Sequence, residues 1–134
     1  MTIHSDRASI LTIGTEITTG QITNTHAAWI SERLVQMGFE VVLHESVPDD
    51  RTLILQSLER CAGISKLIFV CGGLGPTTDD ITRNVIAQWA NMALEFDDEA
   101  MKHIVERLSG FGVPMVSSQR QQCFFRLFQR GKRL

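Results

Sequence analysis

Val70-Cys71-Gly72-Gly73-Leu74-Gly75-Pro76-Thr77-Thr78-Asp79-Asp80-Ile81-Thr82-Arg83 joins an apolar run to a glycine turn, and the turn to an acidic, hydroxyl-rich approach to a helix. Leu67 to Cys71 has the length and apolar continuity of a buried strand in a parallel sheet. Glycines follow, and a residue without Cβ can take positive φ in a tight turn close to a ligand. Pro76 stiffens the exit. Thr77, Thr78, Asp79 and Asp80 stand where a helix with apolar positions Ile81, Val85 and Trp89 is expected to begin, so they are expected to cap it and complement its dipole. The segment reads as strand, glycine turn and helix N-terminus, the junction at which open α/β sheets bind phosphates and nucleotides. Acidic residues in a first helical turn are more often caps than catalysts. Two carboxylates beside a phosphate-friendly turn nevertheless suggest a metal-assisted site, because a carboxylate next to an anion is unfavourable unless a cation or proton lies between them.

The rest of the chain repeats this alternation. Ser9 to Ile13 is a short apolar strand running into Gly14-Thr15-Glu16, and function is expected at its C-terminal end. Asn24 or Thr25 caps a helix with Ala27, Ile30, Leu34 and Met37 on one face and Gly38 as its terminator. Phe39 to Val47 is a valine-rich strand; Pro48-Asp49-Asp50 opens a helix carrying Ile54, Leu58, Cys61 and Ala62, which Gly63 ends. Leu67 to Cys71 is then the central strand, and the helix after the glycine turn runs to about Ala90. Three alternations of strand and helix predict an α/β fold: three α/β/α layers around a doubly wound, mostly parallel sheet. Asn91 to Phe96 is a short link or a small strand. Asp97 caps a last helix with Met101, Ile104, Val105 and Leu108 in one stripe, closed by Gly110 and Gly112. Trp29 and Trp89 fall on helices, where core packing is the default expectation.

The 134 residues fit one domain, 1–134, long enough to bury a real core. A formal net charge of -2 gives no sign of a nucleic-acid-binding surface. With 43% hydrophobic residues, no membrane-length apolar run and no secretion signal in Met1 to Arg7, the expectation is a cytoplasmic protein that works without a membrane. Cys61, Cys71 and Cys123 are odd in number and widely spaced, so neither a disulfide framework nor a zinc site is indicated. His4, His26, His44 and His103 are scattered and are expected at the surface or in packing.

Taken whole, the central stretch resembles the Gly-Gly-Leu-Gly-Pro-Thr-x-Asp-Asp-x-Thr-Arg signature of the CinA family, within the molybdopterin-binding (MogA/MoaB-like) superfamily. A second block, Gly14-Thr15-Glu16-Ile17-Thr18-Thr19-Gly20-Gln21-Ile22-Thr23-Asn24-Thr25, is similar to that family's Gly-Thr-Glu-x-x-x-Gly-x-x-x-Asn-Thr motif. The resemblance runs from about Ser9 to Gln122. It implies a MogA/MoaB-like fold and one of two chemistries: metal-dependent hydrolysis of the pyrophosphate of ADP-ribose, giving AMP and ribose 5-phosphate, or adenylylation or binding of molybdopterin in molybdenum cofactor assembly. A third reading is a non-catalytic remnant or regulatory domain. In both active readings Gly72, Gly73 and Gly75 cradle phosphate, and the implied cofactor is a divalent ion such as Mg²⁺, Mn²⁺ or Co²⁺. Asp80 is the first candidate for catalysis and metal binding and Asp79 the second. Glu16 is a second carboxylate or a ribose hydroxyl partner, and Thr15, Thr77, Thr78 and Thr82, with Gly14, Gly20 and Asn24 of the first block, complete the candidate ligand site. Local turn and cap bonding explains each threonine equally well. Relatives are usually oligomers, so a homo-oligomer binding a small nucleotide or pterin, and no nucleic acid, is expected.

Departures from the pattern lie mostly at the end. The family carries an Asn-Arg-x-Gln-Ala-like helix, a Pro-x-Gly turn, a strand and a Gly-Thr-Ala-Pro-Gly loop; this chain has Ser118-Gln119-Arg120-Gln121-Gln122 and then an atypical tail, 123–134. One permitted back-translation of Phe125 to Arg133, with a single C inserted after the Phe125 codon, encodes Phe-Pro-Ala-Leu-Pro-Glu-Gly-Gln-Lys and restores the Pro-x-Gly turn, so a frameshift is one account of this shortened end and a diverged C-terminus the other. His26 stands where the family commonly has Asn, and Asn84 where it commonly has Glu. Nothing resembles the deamidase domain that many family members carry.

Overall fold

The computed structural model describes residues 6–125, so the expectations for the tail beyond Phe125 lie outside the described residues. The elements run β1 (Arg7–Ile13), α1 (Thr15–Thr18), α2 (Thr25–Gln36), β2 (Glu40–Val47), α3 (Arg51–Ile64), β3 (Leu67–Cys71), α4 (Thr82–Trp89), β4 (Glu95–Phe96), α5 (Asp98–Gly110), a 3₁₀ segment (Ser117–Cys123) and β5 (Phe124–Phe125). The three longer strands form a parallel sheet in the order β2-β1-β3, with Ile13 opposite Val47 and Thr12 opposite Cys71. β4 and β5 pair antiparallel as a separate two-stranded sheet.

Both faces of β1 are apolar, which is why it sits in the middle. Ala8 and Ile10 pack with Ala27 and Leu34 of α2 on one face. Leu11 and Ile13 pack on the other with Val47, with Ile54 and Leu58 of α3 and with Val85 of α4. Each large apolar side chain of this kind, removed from water, contributes roughly 1.5–3 kcal/mol before entropy is charged against it. The sheet is therefore covered by helices on both sides, and the expected α/β architecture holds. Polar groups inside the layers are matched: Ser9 and Ser65 share a hydrogen bond of 2.7 Å, and Ser65 donates to the Cys61 carbonyl at 2.8 Å.

Several local expectations are corrected. The central strand is β1, not Leu67–Cys71; among the described residues β3 is paired on one edge alone, and Phe69 is 37% exposed. Gly63 lies inside α3, which continues to Ile64, since a glycine tolerated within a helix stops it only where the backbone takes positive φ. Gly38 does take it, with φ 89°, and ends α2 in a Schellman arrangement: Phe39 N–H donates to Leu34 and Gly38 N–H to Val35. Met37 and Trp29, expected in the core, are 72% and 59% exposed, because α2 turns only Ala27 and Leu34 fully inward. The stripe of α5 likewise includes no fully buried residue.

Candidate ligand site at the ends of β1 and β3

Parallel pairing puts the C-terminal ends of β1 and β3 on one edge, and both strands run directly into the two glycine-bearing loops of the sequence motifs. In the order β2-β1-β3 the chain leaves β1 toward one side and re-enters on the other at β3, the topological switch point beside which open α/β sheets bind ligands. Gly72, at φ 93°, lies so close to the end of β1 that a Cβ there would sit 1.9 Å from the Ile13 carbonyl oxygen. Gly73, at φ 64°, would place a Cβ 2.1 Å from Thr82 Oγ1. The sequence predicts that these glycines leave room for a ligand; the room is first taken by the chain's own backbone and by Thr82.

Thr82, the first residue of α4 and buried, pins the turn. Its hydroxyl donates to the Gly72 carbonyl at 2.8 Å and its N–H to the Gly73 carbonyl at 3.2 Å. Planar trans peptides direct C=O and N–H oppositely, so with both carbonyls held on Thr82 the N–H groups of Gly73 and Leu74 point away from α4. Among the described residues those two N–H groups donate to no backbone carbonyl. Leu74 and Gly75 carbonyls are held as well: Arg83 Nη1 donates to Leu74 at 2.9 Å, Gln122 Nε2 to Leu74 at 3.3 Å, and Gln121 Nε2 to Gly75 at 3.4 Å and to Thr77 at 2.9 Å.

Thr77 to Asp80 do not cap the helix, which is a second correction. α4 begins only at Thr82, and Ile81 before it makes no side-chain cap bond. Instead Asp80 Oδ2 closes its own loop, accepting the Thr77 N–H at 2.9 Å and the Thr77 hydroxyl. The Thr77 hydroxyl above all, then the N–H groups of Thr77 and Gly75 and the Arg83 guanidinium, hold the Asp80 carboxyl below the usual carboxylate range. Thr78 and Asp79 lie exposed on the outside of this loop.

At the end of β1 the first block is anchored by Asp49, a residue that the sequence motifs do not mark. Asp49 Oδ2 accepts from Thr15 N–H at 3.1 Å and Thr15 Oγ1 at 3.3 Å, and Asp49 Oδ1 lies 3.6 Å from where a Gly73 Cβ would be. Pro48-Asp49-Asp50 contains two aspartates where an N-cap needs one: Asp50 caps α3 through Leu53 N–H at 2.9 Å, which frees Asp49 for Thr15. That surplus was the available signal. Arg83, Gln121 and Gln122 were also missed. Glu16 is exposed, with its carboxylate folded back over Gly14, where a Cβ would lie 2.7 Å from Oε1. Gly14, Thr15 and Glu16 thus share an edge with Gly72 and Gly73. Gly20 follows α1 at φ 77°, and Asn24 caps α2 through Ala27 N–H while donating at 3.0 Å to Thr12 Oγ1, which in turn bonds Cys71 Sγ just before the turn.

The carboxylates that the turn itself offers a divalent ion are those of Asp80 and Asp79. Asp80 Oδ2 is already committed to Thr77, Asp79 is exposed, and among the described residues no three His, Cys, Asp or Glu side chains converge.

With the geometry in place, comparison with known proteins identifies the class. Residues 9–127 match the family model described as "Probable molybdopterin binding domain". CinA of Thermoplasma acidophilum, a protein of unknown function, superposes with a TM-score of 0.77 and 31% identity over 90% of this chain and 70% of that one. The molybdopterin biosynthesis enzyme MoaB of Thermus thermophilus superposes with a TM-score of 0.57 and 30% identity, over 61% of this chain and 53% of that one. A putative competence-damage inducible protein of Streptococcus thermophilus is 43% identical over 98 residues, 73% of this chain. The fold is that of a MogA/MoaB-like molybdopterin-binding domain. Within that class the chain belongs to the CinA family. It spans 23% of the length of the Streptococcus relative. Among the described residues no helix is long and apolar enough to cross a membrane.

Proposed function

We propose that this domain binds a phosphate ester of the nucleotide or pterin type at the C-terminal ends of β1 and β3, with an ADP-ribose-type dinucleotide as the first candidate. The observation that carries the reading is the pair of outward N–H groups at Gly73 and Leu74, fixed by Thr82, at a topological switch point. Such N–H groups suit an anion, and they cost no reorganisation because the turn is already formed. Asp49 and Glu16, at the first block, suit the hydroxyls of a ribose or the amino and N–H groups of a pterin. The Gly-Pro-Thr-Thr-Asp-Asp spelling favours the dinucleotide; the likeness to a MoaB named for molybdopterin biosynthesis supports the pterin as the second reading. Cleavage of a pyrophosphate asks for a cation beside the phosphates, with Asp80 and Asp79 the nearest carboxylates of the turn, so binding is the conclusion and turnover its further outcome. Self-association through the edge of β3 that is unpaired among the described residues fits the same picture.

Calorimetric titration with ADP-ribose and with molybdopterin, together with AMP release in Mg²⁺, Mn²⁺ or Co²⁺, separates these outcomes. ADP-ribose binding weakened about tenfold by Thr82→Val supports the phosphate turn, since one hydrogen bond and its positioning are lost. AMP release that disappears in Asp80→Asn adds hydrolysis. A cooperatively folded protein that binds neither ligand refutes the proposal.

A further inference from the structure

Beside the turn, on the α2 side of the sheet, an open cavity of about 230 Å³ is lined by His26, Trp29, Ile30 and Cys71. Cys71 is the last residue of β3 and is followed directly by Gly72, so one wall of this cavity lies one residue before the proposed phosphate turn. Its walls are apolar. Pockets that hold a whole drug-sized ligand measure about 300–1,000 Å³, so this smaller, open site offers one face to a ring and does not enclose a ligand. Among the described residues Trp29 belongs to neither hydrophobic cluster. It is 59% exposed, yet the guanidinium of Arg33, one helical turn on, lies 5.4 Å from its ring centroid. That cation steadies the indole at the cavity's edge. His26, in the first turn of α2, adds a ring nitrogen at the rim, where the helix N-terminus also carries partial positive charge.

We infer that the Trp29 cavity is the subsite for the planar heteroaromatic ring, purine or pterin, of the ligand whose phosphate lies at Gly73 and Leu74. The inference rests on the phosphate-binding reading above and extends it to the other end of the ligand. Stacking on the indole holds the ring, while Ile30 and Cys71 close the apolar floor. The ring contributes affinity and the turn contributes charge recognition, so the two ends are separable by experiment.

The test titrates the intact protein and Trp29→Ala with AMP, ribose 5-phosphate, 6-hydroxymethylpterin and inorganic pyrophosphate. Trp29 sits on the exposed side of α2 and alanine is a good helix former, so the variant keeps the fold, checked by its thermal melt. Expected are AMP binding at least tenfold tighter than ribose 5-phosphate, loss of about tenfold in AMP affinity in Trp29→Ala, recovery in Trp29→Phe, and unchanged pyrophosphate affinity. Competition between 6-hydroxymethylpterin and AMP supports a shared ring subsite. Pyrophosphate binding with equal affinities for AMP and ribose 5-phosphate, or an AMP affinity indifferent to Trp29→Ala, overturns the ring subsite while leaving the phosphate turn standing. Absence of binding by all four probes overturns both.

Discussion

Gly72→Ala tests whether the glycine turn is a consequence of packing against β1. Gly72 has φ 93°, a region that L side chains avoid. An alanine forced into it costs about 1–2 kcal/mol. Its Cβ would also lie 1.9 Å from the Ile13 carbonyl oxygen, a backbone atom in the central strand that cannot swing aside as a side chain can. Overpacking of that kind costs typically about 1–3 kcal/mol, so the total is about 2–5 kcal/mol. Against a domain stability of about 5–15 kcal/mol this is a large fraction. At roughly 3–5 °C per kcal/mol for a chain of this size, the melting temperature should fall by about 6–25 °C. Gly20→Ala is the internal control. Gly20 also has a positive φ, 77°, but nothing lies within 4 Å of the added Cβ. That variant carries the conformational cost alone, about 1–2 kcal/mol. The difference between the two variants in urea unfolding at pH 7 isolates the contact with Ile13. Equal destabilisation, within the roughly 0.5 kcal/mol to which independent sites are additive, would refute the packing account and return Gly72 to a purely ligand-related role.

Gly63→Ala, in the interior of α3, meets nothing within 4 Å of the new Cβ. It should stabilise the fold by about 0.5–1 kcal/mol, seen as a higher urea midpoint at unchanged m-value. For Asp80→Asn the sign follows from its depressed carboxyl pKa: the carboxylate stabilises the folded loop above the unfolded value near 3.9 and loses that contribution as pH falls through the lower folded value. The stability gap between the intact protein and Asp80→Asn should therefore be constant from pH 7 to about pH 5 and narrow below about pH 4; a gap that does not change with pH contradicts the ionic loop closure. Asp49→Ala removes the acceptor of Thr15. It should cost about 1 kcal/mol in thermal stability and more in ADP-ribose affinity, measured by calorimetry.

The sequence by itself determined the strand and helix alternation, because apolar period and cap residues are local properties. Asn24, Asp50 and Asp97 all cap the helices expected of them. It also marked both loops of the candidate site, since a glycine cluster after an apolar run has few other uses. Tertiary structure alone decided which strand is central, because order in a sheet depends on which edges find partners, and nothing in Leu67–Cys71 distinguishes a strand paired on one edge from one paired on two. It decided that Asp80 closes its own loop and that α4 starts only at Thr82, a competition between turn and cap geometry in which both are locally allowed. The same holds for Asp49, 34 residues from Thr15, and for Gln121, 44 residues from Thr77. Contacts across such separations follow from the stacking of layers, and that is a property of the folded chain, not of any stretch of it.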